Sequence, residues 1–184
     1  MLNEPLKLRT YPHKDLSTVC EKVGEAEFCT FELDILCGKL LTTMRAFAGV
    51  GLAANQVGIH KRIFAFEKHA TDNIDRKQFI DDIPEIIINP EVITDDCEDS
   101  KYKEGCLSFP GSYVQVTRPT GFTLHYRDTS GQHLTLGPDI CCGIFGHVFL
   151  HEIDHLNGLT VMDHASFIDK NKITKKVNKL RGIR

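Results

Sequence analysis

The stretch FLHEIDHLNG at residues 149–158 has two histidines four positions apart, with a glutamate directly after the first. Residues i and i+4 lie on one face of an α-helix, so His151 and His155 can bind one metal ion with Glu152 beside it. The surrounding residues 141–158 are apolar on nearly every side, which predicts a central, buried helix. Burying an unpaired glutamate is costly, and a metal ion would account for it. The alternative is two histidines and an acid on an exposed helix face.

A catalytic metal usually takes three protein ligands, so a third one is needed. His147 lies on the same helix but eight residues from His155, a rise of about 12 Å, so a pocket or packing role is expected for it. A metzincin protease would have histidine at position 161, which is valine here, and no glutamate follows Glu152 as a thermolysin-like protease requires. The best candidate is the upstream Cys106, because one thiolate, two imidazoles and a water form a catalytic geometry that favours Fe(II) or Zn(II).

The length of 184 residues predicts a single domain over 1–184. The net charge of −3 does not indicate a DNA-binding protein, and no apolar run is long enough for a membrane span. The N-terminus lacks the apolar core of a secretory signal, and the seven cysteines contain no C-x-x-C pair. We therefore expect reduced thiols and a cytoplasmic location.

Hydrophobic periodicity predicts the secondary structure. Helices are expected at 28–47, at 141–158 and in the basic segment 165–184, with strands at 61–67, 85–90, 113–118, 122–127 and 133–137 and a long loop around 68–84. Consecutive strands with short turns indicate antiparallel pairing. The expected fold class is α+β, with antiparallel β-sheets packed around a buried metal-binding helix and with N-terminal and C-terminal helices.

Three motifs occur in a fixed order along the chain: GVGLAANQ at 49–56, EGCLS at 104–108 and HEIDH at 151–155. Together they strongly resemble the motifs of the peptide deformylase family. The resemblance covers essentially the whole chain, since Tyr11-Pro12, Ile88-Asn89-Pro90, Arg118 and the basic C-terminal helix also match. It implies a metal-dependent hydrolase that removes the formyl group from the N-terminal formyl-methionine of nascent polypeptides, releasing formate and a free N-terminal methionine.

The resemblance also implies roles for individual residues. Cys106, His151 and His155 would bind one divalent ion, Fe(II) in the cell, with Zn(II), Ni(II) or Co(II) able to substitute. A metal-bound hydroxide would attack the formyl carbon. Glu152 would act as the proton carrier, while the side chain of Gln56 and the backbone N–H of Leu107 would stabilise the oxyanion.

The positions that match the substrate pocket are Val50, Gly51, Tyr102, Glu104, His147 and Val148, with Leu107 beside them. His147, Leu150 and Gly146 depart from the residues that are common in the family, and these departures bear on the shape of the pocket. Asp154 lies between the metal ligands on a buried helix and needs a partner. We expect it to pair with Arg118.

The expected partners are N-formylmethionyl peptides and, through the basic helix, the ribosome. Residues 165–184 carry seven Lys/Arg and one Asp, a charge that suits rRNA phosphates. A solvated surface helix is the alternative. Two other functions compete: a different zinc endopeptidase, and a metal-binding module without catalysis. The segment GVGLAA also fits a dinucleotide fingerprint, but a helix rather than a strand is expected before it, which argues against a nucleotide site.

Overall fold

The computed structural model describes residues 4–69, 83–94 and 97–180. Its helices are α1 (Phe31–Ala46), α2 (Gly143–Leu156), α3 (Val161–His164) and α4 (Phe167–Leu180). Its strands are β1 (Gly51–Ala53), β2 (Ile63–Phe66), β3 (Ile86–Ile93), β4 (Asp99–Gly105), β5 (Tyr113–Pro119), β6 (Thr123–Arg127) and β7 (His133–Leu136). Short 3-10 helices cover Lys14–Ser17, Glu25–Glu27 and Ala54–Val57. In the described part of the chain, no helix is long and apolar enough to cross a membrane.

Five strands form one antiparallel sheet in the order β1-β2-β3-β6-β7. Strand β2 is buried on both faces, and its side chains alternate between two hydrophobic clusters. Phe64 and Phe66 pack in the cluster that contains the apolar side chains of α2. Ile63 and Ala65 pack in the cluster that contains α1. The sheet therefore lies between these two helices.

Strands β4 and β5 form a separate two-stranded antiparallel sheet. Val114 and Val116 of β5 face inward and pack against Ile173 and Val177 of α4. Helix α2 contacts β1 and β2 of the large sheet and also β4 of the small one. A helix between two antiparallel sheets is the α+β arrangement expected from the sequence, so that prediction is confirmed.

Several boundaries differ from the expectation. Strand β4 is not among the strands expected from the sequence, because most of its side chains are exposed and no apolar alternation marks it. The motif GVGLAANQ contains strand β1 and the start of the 3-10 helix Ala54–Val57. The helix expected in 165–184 is α4, which runs from Phe167 to Leu180, and residues 181–184 lie outside the described part. Most of the loop expected around 68–84 also lies outside it. That 1–184 form one domain remains a prediction.

Candidate metal centre and substrate cavity

Helix α2 carries the two histidines and the glutamate of the motif HEIDH. His151 is 7% exposed, His155 is fully buried and Glu152 is 3% exposed. The helical spacing brings the His151 and His155 rings together, with ring centroids 5.1 Å apart. The alternative of an exposed histidine face is therefore wrong.

Cys106 reaches these histidines from the loop that follows β4. Its Sγ lies 3.2 Å from Nε2 of His155, and the ligand atoms of Cys106, His151 and His155 all lie within 4.8 Å of one another. Bonds of about 2.0–2.3 Å to a common tetrahedral ion put its ligand atoms about 3.5 Å apart, which this cluster can satisfy. One thiolate with two imidazoles suits Zn(II) or Fe(II) better than Mg(II) or Ca(II). The residues present thus fit a metal ion.

The protonation of the histidines bears on this fit, because metal binding needs a thiolate and neutral imidazoles. Burial lowers the pKa of His155 well below its ordinary value, so this imidazole is neutral. Burial also acts to lower the pKa of His151, but its hydrogen bonds with Cys106 and Glu104 raise that pKa well above the ordinary value. A bound cation would take the place of the proton that faces Cys106.

Glu104, the last but one residue of β4, orients the His151 ring. Its Oε2 lies 2.9 Å from Nδ1 of His151, and its Oε1 lies 2.7 Å from Nδ1 of His147. Burial opposes its ionisation, but hydrogen bonds from both histidines and from Arg118 hold the pKa of Glu104 well below its ordinary value. An ionised carboxylate only accepts, so Nδ1 of His151 carries the proton and its Nε2 is available to a metal.

Glu152 lies against strand β1, where Gly51 makes room for it. A β-carbon at position 51 would lie 2.9 Å from Cδ of Glu152, a distance that real β-carbons do not adopt. Burial raises the pKa of Glu152 to about 7, although the charge of His151 and the backbone of Ala53 act to lower it. Within the described residues its buried Oε2 has no hydrogen-bond partner. The carboxyl group is thus held in place with one oxygen free for another molecule.

The side chain of Gln56 is held in one orientation by its hydrogen bonds. Its Oε1 accepts from the Ala53 N–H at 2.8 Å, so the amide nitrogen must face the other way. That Nε2 donates to Ser108 Oγ at 3.1 Å and points to Cys106 Sγ at 3.5 Å. The amide N–H groups are therefore directed at the metal centre. Ser108 was not anticipated, although it is the last residue of the EGCLS motif.

These groups line a cavity of about 560 Å³. Its wall includes every residue assigned to the pocket from the sequence, together with most of the catalytic candidates: Val50, Gly51, Gln56, Tyr102, Glu104, Cys106, Leu107, His147, Val148, His151 and Glu152. Val50 and Tyr102 are 43% and 41% exposed, so they lie at the mouth of the cavity. Substrate contact by these residues stays a prediction.

The expected pair of Asp154 and Arg118 is confirmed, with Arg118 NH1 2.9 Å from Asp154 Oδ2. The structure adds two contacts that the sequence did not indicate. Arg118 also donates from Nε and NH2 to the carboxylate of Glu104, and His164 Nε2 lies 2.8 Å from Asp154 Oδ2. Arg118 is 5% exposed, and its ion pairs with Glu104 and Asp154 join β5 to β4 and to α2.

The polypeptide deformylase family model matches residues 5–171. A curated relative named peptide deformylase 2, from Xanthomonas campestris, is 35% identical over 176 residues, which is 96% of each chain. The peptide deformylase of Erythrobacter litoralis is 36% identical and covers 92% of this chain and 94% of its own. The crystal structure of peptide deformylase from Ehrlichia chaffeensis in complex with actinonin superposes with a TM-score of 0.82 at 33% identity, over 95% of this chain and 96% of the other. The three motifs meet at one cavity, the fold matches, and the relatives align over almost the whole chain. The chain therefore belongs to the polypeptide deformylase family of hydrolases.

Proposed function

We propose that this protein removes the formyl group from the N-terminal formyl-methionine of nascent polypeptides and that Cys106, His151 and His155 hold the divalent metal ion. The single observation that carries the proposal is the meeting of their three ligand atoms within 4.8 Å beside the same cavity as Glu152 and Gln56. A purely structural metal site would need neither a buried free carboxyl oxygen nor an oriented amide donor. That argues against a metal-binding module without catalysis.

Fe(II) is the proposed metal in the cell, with Zn(II), Ni(II) or Co(II) able to replace it, since the donor set suits all four. When bound, the ion supplies Lewis acidity, which makes a water molecule nucleophilic near neutral pH. The chain's own part is to hold this ion with three ligands and to leave one side open to the cavity.

Glu152 accepts a proton from the attacking water and delivers it to the leaving amine. Its buried carboxyl group, with Oε2 unpartnered among the described residues, supports this role. A pKa raised to about 7 by burial matches a group that must both take and give a proton near neutral pH.

Gln56 donates a hydrogen bond to the formyl oxygen as negative charge develops on it, and the Leu107 N–H donates a second. The Ala53 contact supports the first assignment, because it directs the Gln56 amide nitrogen toward the metal centre. Leu107 follows Cys106 directly and lines the same cavity, which supports the second. Donors fixed before the reaction need no rearrangement in the transition state.

The methionine side chain occupies the apolar part of the cavity near Tyr102, Val148 and Leu107. About 560 Å³ is room for the first residues of a peptide, and the wall there is more apolar than polar. Gly51 also lines this cavity. The space left by its missing β-carbon is taken by the Glu152 side chain.

The test is formate release from a formyl-Met tripeptide by protein purified without oxygen, beside the Cys106→Ser and Glu152→Gln variants. We expect formate from the wild type, loss of bound metal in Cys106→Ser, and retained metal with a loss of about 10²–10⁴-fold in rate in Glu152→Gln. No formate from fully metal-loaded wild type would contradict the proposal. Cleavage of unformylated peptides instead would favour the endopeptidase alternative.

Contact with the ribosome through the basic C-terminal helix is part of the proposal. On α4, Lys172, Lys175 and Lys179 are exposed, while Ile173 and Val177 hold the opposite face to the protein. Replacing the three lysines by glutamate should abolish co-sedimentation with ribosomes at low salt without reducing formate release from a free tripeptide. Unchanged co-sedimentation would leave α4 as a solvated surface helix. The proposed location is the cytoplasm, where nascent chains are made.

A further inference from the structure

His147 is a buried histidine in the cavity wall for which the proposed reaction has no use. It lies one helical turn before His151 on α2 and is 3% exposed. Its ring packs on that of Tyr102, with centroids 4.4 Å apart. A polar side chain in this apolar region needs an explanation, because an aliphatic residue would fill the same space without buried nitrogens to satisfy.

Both ring nitrogens of His147 have partners inside the protein. Nδ1 lies 2.7 Å from Oε1 of Glu104, and Nε2 lies 3.0 Å from Oγ of Ser100. No ring nitrogen is therefore left for a substrate. Its polar chemistry acts on β4 rather than on the peptide.

The partner of His147 is the carboxylate that orients a metal ligand. Oε1 of Glu104 accepts from His147 Nδ1 and from Arg118 Nε at 2.6 Å. Oε2 accepts from His151 Nδ1 at 2.9 Å and from Arg118 NH2 at 3.0 Å. With two donors on each oxygen, the carboxylate cannot turn about its last bond without breaking a hydrogen bond.

We propose that His147 is a positioning residue that holds Glu104 and, through Glu104, directs Nε2 of His151 toward the metal ion. Arg118 holds Glu104 from β5, whereas His147 holds it from α2, the helix that carries His151. His147 adds a second donor from α2 beside that of His151, so this helix holds Glu104 at both carboxylate oxygens. The inference rests on the metal centre of the proposed function.

Three variants separate this role from simple packing. His147→Asn keeps an N–H at the position of Nδ1, facing Glu104. His147→Gln extends its amide to the position of Nε2, facing Ser100, and removes the donor to Glu104. His147→Leu removes both donors at similar volume. All three change the cavity wall, so KM does not distinguish between them.

The decisive measurement is the Zn(II) dissociation constant without substrate, determined by competition with a chromogenic chelator. We expect His147→Gln and His147→Leu to bind Zn(II) about 10–100-fold more weakly than the wild type, and His147→Asn to stay within about threefold. Thermal unfolding of the metal-free proteins reports whether each variant folds. If His147→Leu does not fold, the Zn(II) dissociation constants of His147→Asn and His147→Gln test the inference between them.

Equal Zn(II) affinity in wild type, His147→Gln and His147→Leu would overturn the inference, as would a loss in His147→Asn as large as that in His147→Gln. A merely structural residue would lower the unfolding temperature of all three without separating their metal affinities. Failure of the wild type to bind one Zn(II) would contradict the metal centre itself. The two failures are thus distinguishable.

Discussion

Gly51 on β1 and Glu152 on α2 approach so closely that a β-carbon at position 51 would lie 2.9 Å from Cδ of Glu152. The glycine of the first motif and the glutamate of the third motif therefore pack directly against each other. The carboxyl group keeps its place because the strand offers it a backbone without a side chain.

Gly51→Ala should displace Glu152 and reduce formate release by about 100-fold, because a misplaced proton carrier loses most of its contribution. Bound metal should stay at one per chain, since the ligands Cys106, His151 and His155 are not touched. The matched control is Gly38→Ala on α1, where an added β-carbon meets nothing within 4 Å. It should leave activity unchanged and stabilise the protein by up to about 1 kcal/mol. Equal activity in both variants would contradict the assignment of Glu152.

Gln56→Glu should lower kcat by about 10²–10³-fold, because the isosteric carboxylate still accepts from the Ala53 N–H but no longer donates to the oxyanion. Steady-state kinetics on a formyl-Met peptide would measure it, with KM expected to change little. Ser108→Ala is the matched control, since it removes only an acceptor of the Gln56 amide. The kcat of Ser108→Ala should fall by less than about tenfold. A Gln56→Glu variant as active as wild type would eliminate Gln56 as an oxyanion donor.

Arg118→Leu should destabilise the protein by about 3–5 kcal/mol, because it leaves the buried carboxylate of Glu104 and the partly buried carboxylate of Asp154 without the guanidinium charge. Urea unfolding of the metal-free protein would measure the change in the free energy of unfolding. The control is Lys22→Met, which breaks an ion pair with Glu91 that is more than half exposed on both sides. That change should cost less than about 1 kcal/mol. Equal effects of the two substitutions would contradict a structural role for the Arg118 network.

The free energy of unfolding should fall as the pH rises above 9. Burial raises the pKa of Cys20 to about 11 and the pKa values of Cys37 and Cys141 to about 12, whereas the ordinary pKa of a thiol in the unfolded chain is 9.0. The unfolded state therefore releases protons that the folded state keeps, and each thiol costs about 1.4 kcal/mol per pH unit between 9 and its folded pKa. Below pH 9 this contribution to stability is fully present.

Urea unfolding at pH 8, 9 and 10 in the presence of a reductant would measure this slope. In Cys37→Ala the free energy of unfolding should fall less steeply with pH, because one of the three thiols no longer contributes. This holds whatever the effect of the substitution on stability at pH 8. A free energy of unfolding that is constant over this range would show that the three thiols do not ionise on unfolding as expected.

Local features of this protein could be predicted from the sequence. The spacing of His151 and His155 places them on one helix face, and the apolar residues at helical spacing predict α1, because both depend only on neighbours a few residues apart. Spacing on one helix does not indicate Cys106, which is the best third ligand only because the other candidates fail and because EGCLS resembles a family motif. Strand β4 was missed because its exposed side chains carry no apolar alternation.

Tertiary structure alone decided how distant residues meet. Cys106 and His155 are 49 residues apart, yet their ligand atoms lie 3.2 Å apart. The binding of His147 to Glu104 depends on the packing of β4 against α2, and the room for Glu152 depends on β1. Sequence periodicity records which face of an element is buried, whereas these contacts depend on which faces of different elements meet across the core.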